Sequence, residues 1–285
     1  MTVYPKYAVV GHARTAVYLC ALISFFICAY WRPLNKLVSL WYNSDDYAHG
    51  FAIIPISIYI IWKKRSALAE IDFNSSSSGL LLIIISLLVY LFSRYAEIES
   101  VAAFTIIPCL YGTVLYLLGL KAWKELLFPV TFLIFAMPVP SQIYAWLTIP
   151  LQLLVSKTSA ELAGFLDCPV FREGNIIHLP DKVFQIVTAC SGLRSLISLL
   201  AVSTVAGYFM LRSNLLRSVL FLSAVPVAIA VNILRVFLLV AVFYYFRIDL
   251  SAGAAHTGLG ILTFVLALFT IFISAGILSR WNSPA

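Results

Sequence analysis

Residues 217–246 read RSVLFLSAVPVAIAVNILRVFLLVAVFYYF, a run in which Arg235 is the one charge after Arg217. As a helix this stretch is about 45 Å long at 1.5 Å per residue, longer than the hydrocarbon core of a bilayer requires. Arg235 lies about 27 Å along it from Arg217, in the far half of a membrane entered at Arg217. A guanidinium at such depth costs about 2.5–3.5 kcal/mol on insertion scales. It either faces the bundle interior or a wet cavity, and so marks function, or it snorkels to the interface. Asn232 stands three residues earlier on the same helical face, placed to hold the guanidinium.

Working outward, the whole chain has the same character. It is 62% hydrophobic and 11% charged over 285 residues, with a mean hydropathy of +0.99, outside the range of soluble domains. Apolar runs long enough to span a bilayer occur at roughly 16–31, 47–62, 79–93, 101–120, 125–139, 192–211, 217–246 and 254–278. The expectation is an all-α polytopic integral membrane protein of about eight transmembrane helices, forming a single domain over residues 1–285. The net charge of +7 does not indicate nucleic acid, because the basic residues punctuate apolar runs instead of forming a stripe. The first run follows Lys6 and Arg14 without a small-x-small cleavage site, so a retained anchor is expected. With the chain closing shortly after the eighth run, no fused accessory domain is expected.

Lys/Arg asymmetry gives an orientation. With the N-terminus inside, the inner short loops hold Lys6, Arg14, Lys63, Lys64, Arg65, Lys121, Lys124, Arg212, Arg217 and Arg280. The outer ones hold Arg32, Lys36, Arg94 and Arg247. That bias favours both termini inside and puts residues 140–190 outside. Ser141 to Phe165 is apolar and suits an interfacial or re-entrant helix. Cys168 to Val187 carries Pro169, Gly174, Asn175 and Pro180 around short apolar runs, the pattern of a small β-hairpin. The serines at 75–78 form a flexible inner linker.

The chain returns to the membrane through Thr188-Ala189-Cys190-Ser191-Gly192-Leu193-Arg194-Ser195. A cysteine at or just before a helix N-terminus gains from the dipole and the unpaired amides, which favour the thiolate and can receive an oxyanion. Gly192, after Cys190-Ser191, would let the backbone pack closely there; Ser191 is a supporting residue of the site, and Arg194 is a candidate substrate contact. Two structural readings compete: a buried small hydrophobe, or a disulfide with Cys168 on the oxidising side. The five cysteines include no CxxC pair, so no zinc or thioredoxin-like motif is present. Cys20, Cys28 and Cys109 fall within helices as packing residues. His256, in Ala254-Ala255-His256-Thr257-Gly258, opens the last run from the outside and is the imidazole best placed to pair with Cys190. His178 on the outer hairpin is its competitor. Asp45-Asp46-Tyr47-Ala48-His49-Gly50 opens the second run; without further ligands it does not make a metal site. Asp46 and His49 are expected to shape an outer vestibule or touch substrate, unless the two carboxylates simply cap the helix.

Taken together, Ala189-Cys190-Ser191-Gly192-Leu193-Arg194-Ser195, the Asn232-x-x-Arg235 pair and His256 resemble the exosortase family, relatives of the archaeosortases. Asp46-Tyr47-Ala48-His49-Gly50, Trp62-Lys63-Lys64-Arg65 and Phe132-Leu133-Ile134-Phe135-Ala136-Met137-Pro138-Val139-Pro140 resemble it as well, so the likeness runs over roughly residues 40–265. It implies a multi-pass cysteine transpeptidase-like enzyme of the bacterial inner membrane that needs no cofactor. Its substrates would be exported proteins held in the bilayer by a C-terminal helix, bearing a short sorting signal, often Pro-Glu-Pro, and a basic tail. It implies Cys190 as nucleophile, Arg235 as stabiliser of the carbonyl or oxyanion, and His256 as acid and base.

Two other function classes stay open on the residues alone. A transporter would use Arg235 as an anion site, and predicts broken helices in corresponding halves; no such repeat is evident. A non-catalytic scaffold for envelope polysaccharide assembly would tolerate substitution of Cys190 and Arg235.

Overall fold

A computed structural model describes residues 20–186 and 192–281. The chain is 77% helical with one small three-stranded sheet. It divides into two compact units, residues 1–138 and 139–285.

In the first unit, α1 (Cys20–Ala29) leads into α2 (Trp31–Asn43), α3 (Gly50–Lys63), α4 (Arg65–Ala69) and α5 (Ser77–Tyr95). Then come α6 (Glu99–Phe104), α7 (Ile106–Leu117) and α8 (Gly119–Phe132), which tightens into a 3₁₀ turn over Leu133–Ala136. Helix α2 stands where the charges Arg32 and Lys36 predict a loop. Its Pro33, Leu37 and Trp41 recur every four residues and are its buried positions, the amphipathic spacing of a helix lying on a core. Helices α5 and α7 meet backbone to backbone: a Cβ on Gly79 would come within 2.6 Å of the Gly112 carbonyl oxygen. Small residues at such a crossing let membrane helices gain close van der Waals contact, since lipid supplies no hydrophobic drive between them. Glu99 joins Lys36 at 2.7 Å and Arg94 at 2.9 Å through the same oxygen, Oε1.

The second unit comprises α9 (Ser141–Gly164), β1 (Phe171–Glu173), β2 (Ile176–His178), β3 (Val183–Gln185), α10 (Leu193–Met210), α11 (Asn214–Phe246) and α12 (Gly253–Ser279). Helix α11 is the spine, packed by α9, α10 and α12. The three strands form an antiparallel meander in which Ile177 faces Arg172 on one side and Phe184 on the other. The expected hairpin is therefore present with a third strand added. One core cluster joins Leu199, Leu220, Ala224, Ala228, Ala267 and Ile271 between α10, α11 and α12. A second joins Val155, Ile177, Phe184, Ile186, Val236 and Val240, binding α9 and the sheet to the last third of α11.

A helix occupies each expected apolar run; among the described residues five helices are long and apolar enough to cross a membrane: Ser77–Tyr95, Glu99–Leu117, Leu193–Met210, Asn214–Phe246 and Gly253–Ser279. The number rises to six if Gly119–Ala136 and Ser141–Gly164 count as one broken span. The expected total of about eight is not reached among the described residues, where Cys20–Ala29 and Gly50–Lys63 are shorter apolar helices. Large apolar side chains such as Leu91, Phe92, Leu262 and Phe269 stay more than 60% exposed, as lipid-facing surfaces do. This is an integral membrane protein.

Candidate active site

Cys190 and Ser191 lie outside the described residues, so the site is built from the groups that flank them. Gly192 is the N-cap residue of α10, with φ +81° and ψ 0°. This left-handed conformation suits glycine and costs other residues a steric clash. Space demands glycine too: a Cβ here would lie 2.8 Å from both Cγ and Nδ2 of Asn232. The first helical residue is Leu193, three beyond Cys190. The helix that follows the thiol-bearing segment thus begins over a close contact with α11, at the end where first-turn amides point.

Asn232 is buried, at 4% exposure. One turn further along the same face, Arg235 reaches His256, with Nη2 2.8 Å from the imidazole Nε2. A guanidinium can only donate, so Nε2 accepts and the ring proton sits on Nδ1. Nδ1 is buried and makes no hydrogen bond within ordinary limits among the described residues, although the Leu250 carbonyl is near enough to act on the ring. Gly260, one turn beyond His256, clears the way: a Cβ there would stand 3.2 Å from Arg235 Nη2. Arg194, in the first turn of α10, is close enough for its charge to bear on the His256 ring. Gly192, Arg194, Asn232, Arg235 and His256, drawn from three helices, are therefore gathered where the described chain resumes after Cys190.

His178 stands elsewhere, on β2, with its Nε2 3.9 Å from Glu173 Oε2 and its ring against Phe171. Cys168 is a buried free thiol in the core beneath the sheet, and burial pushes its pKa up.

Asp46 and His49 belong to the first unit. Residues 45–49 form a turn and His49 is itself the N-cap residue of α3, with no side-chain cap bond. The N-cap position of α3 is thus filled by His49 and not by either carboxylate. His49 Nε2 lies 2.9 Å from the Phe135 carbonyl oxygen, and Trp41 Nε1 donates to the next carbonyl, Ala136, at 2.9 Å. Gly50 lies under the Trp41 ring, where a Cβ would approach to 2.4 Å. The Asp46–Gly50 and Phe132–Ala136 stretches are thus two halves of one packed structure. Sequence reasoning misses Trp41 and Gly260, and quotes Gly50 without its packing role. Gly260 has a legible signal, falling four residues after His256 and so on its helical face.

Among the described residues no group of three or more His, Cys, Asp or Glu side chains could hold a metal ion.

Comparison with known proteins gives the family. The family model of the transmembrane exosortases matches residues 41–273, taking in every site residue named above. No curated protein and no solved structure matches the chain. The chain belongs to the transmembrane exosortase family.

Proposed function

We propose that this protein is a membrane-embedded cysteine transpeptidase that cuts a C-terminal sorting signal from exported proteins still anchored by a C-terminal helix. The signal is of the Pro-Glu-Pro type, and the product leaves through a Cys190 thioester. The protein works in the bacterial inner membrane with both termini inside and the reacting groups on the outer side. The observation that carries this reading is the Arg235–His256 contact, set one helical turn from the Asn232 on which Gly192 rests.

The contact suggests an order of events. In the resting site Arg235 occupies His256 Nε2. When a substrate carbonyl arrives, the guanidinium turns to that oxygen and leaves Nε2 open to take the Cys190 thiol proton. The thiolate adds to the carbonyl carbon, and Arg235 with the first-turn amides of α10 holds the oxyanion, each donor worth about 3–4 kcal/mol in acyl transfer. The C–N bond breaks, the imidazolium returns its proton to the leaving amine, and the thioester remains. An amine acceptor or water then attacks the thioester, His256 takes its proton, and the Cys190 thiol is regenerated. Asp46 and His49 are supporting contacts for the substrate's polar segment.

Cells carrying a tagged substrate and Cys190→Ala or Cys190→Ser should accumulate uncut precursor. Unchanged processing in either variant removes the assignment. A membrane-impermeant maleimide should modify Cys190 from outside without prior reduction; labelling that needs reduction would restore the disulfide reading.

A further inference from the structure

Two loops on the second unit carry four charges that no part of the proposed reaction uses. The turn between β2 and β3 presents Asp181 and Lys182. The loop between α11 and α12 presents Arg247 and Asp249. They join as two ion pairs, Asp181 with Arg247 and Lys182 Nζ with Asp249 Oδ2 at 2.5 Å.

Each partner is tied to something further. Lys182 Nζ stands 5.8 Å from the ring centres of both Phe184 on β3 and Phe243 on α11, and those two rings meet edge to face. Arg247 ends α11 in the left-handed region, with φ +57°, a conformation that a non-glycine residue adopts at a cost. Its ion pair is one of the contacts holding that bend. Asp249 Oδ1 accepts from the Ser251 amide at 2.9 Å and the Ser251 hydroxyl at 2.6 Å, which organises the loop just before α12. Lys182 and Ser251 together hold the Asp249 carboxyl well below the usual carboxylate range.

The two loops are also the lead-ins to the reacting groups. From β3 the chain passes to Ile186, which is 2% exposed. Asn175 grips it at both backbone groups: its carbonyl accepts from Ile186 N at 2.9 Å, and its Nδ2 donates to Ile186 O at 3.0 Å. Cys190 follows four residues later. From the other loop the chain passes into α12, whose fourth residue is His256. The charges run minus–plus on the turn and plus–minus on the loop. Exchanging partners would set Asp181 against Asp249 and Lys182 against Arg247, so only one register is attractive.

We infer that Asp181, Lys182, Arg247 and Asp249 are positioning residues, a clasp that holds the strand leading into Cys190 against the loop leading into His256 and so sets the separation of thiol and imidazole. The inference rests on the reading of Cys190 and His256 as reacting groups. Its test does not depend on activity.

The full chain, with Cys20, Cys28, Cys109 and Cys168 replaced by alanine and His256→Cys introduced, is placed in membrane vesicles. It is treated with a short bis-maleimide, and the cross-link between Cys190 and the thiol introduced at position 256 is measured. Adding Asp181→Asn with Asp249→Asn should lower the initial cross-linking rate at least about threefold, the effect of losing two exposed ion pairs. Making instead the exchange Asp181→Arg with Arg247→Asp, with Asp249 kept, should restore the parent rate. In the chain with its natural histidine, the neutralised pair should lower kcat with KM unchanged. A cross-linking rate indifferent to neutralisation overturns the clasp, as does failure of the charge exchange to restore it. If the rate follows the clasp but Cys190→Ala still processes substrate, the clasp stands and the proposed chemistry fails.

Discussion

Gly192→Ala is the most informative single change, because two separate features of the structure oppose it. The left-handed backbone, at φ +81°, costs an alanine about 1–2 kcal/mol. The added methyl meets Asn232 at 2.8 Å, inside van der Waals contact, and Asn232 is 4% exposed with little room to swing. Overpacking of that kind costs about 1–3 kcal/mol, so the loss should total about 2–5 kcal/mol. The two parts separate in a double-mutant cycle. In an Asn232→Ala background the contacts with Cγ and Nδ2 are gone, leaving the backbone cost and a 3.0 Å approach to the Cβ of residue 232, so most of the clash is relieved and a coupling of about 1–3 kcal/mol is expected. Unfolding of the purified protein in detergent, by denaturant, gives the four stabilities. Substrate processing should fall further in Gly192→Ala than stability explains, because Asn232 lies one turn from Arg235. A Gly192→Ala protein within about 0.5 kcal/mol of the native one would refute the reasoning. So would an equal loss with and without Asn232, which would show that the two residues do not press on each other.

Two more predictions test neighbouring parts. Arg235→Lys keeps the charge but not the planar fork that reaches His256 Nε2 and a carbonyl; processing in vesicles should fall about 10²–10³-fold, as for other lost oxyanion donors, with the protein still folded by its melting curve. For Asp249 the depressed carboxyl pKa gives a sign: such a group stabilises the fold above its unfolded value, about 3.9, and loses that contribution as pH falls toward its folded value. The difference in Tm between the native chain and Asp249→Asn should hold steady from neutral pH to about pH 4 and close below it; a difference that varies between pH 5 and 7 would contradict this.

Much of the site is legible in the sequence because its chemistry is costly to place by accident. A guanidinium inside an apolar run, an asparagine one turn before it, and a histidine opening the next helix all point to one face, and Arg235 and His256 meet there. The need for Gly192 reads as close packing, though its partner does not, since which residue fills the space depends on how α10 and α11 cross. Hydropathy measures the apolar character of a run, not where its helix ends: the 101–120 run is interrupted at Thr105 between α6 and α7, and the 47–62 run forms a helix only from Gly50. Helix α2 reads as a loop when Arg32 and Lys36 are given more weight than the four-residue spacing of Pro33, Leu37 and Trp41. The ion pairs at 181–182 and 247–249 are invisible in the sequence, since nothing in either loop names the other.

Helix α11, with its 33 residues, extends about 50 Å, against about 30 Å of hydrocarbon. Counted from Asn214, a span of that thickness is complete near residue 234, one residue before Arg235. The surplus beyond it is as apolar as the rest, yet it has no need of acyl chains: Val236 and Val240 are enclosed by α9 and the sheet. The last third of this helix is the keel on which α9 and the sheet are mounted, so the segment that carries the chain toward Cys190 is braced on the same rod that carries Arg235.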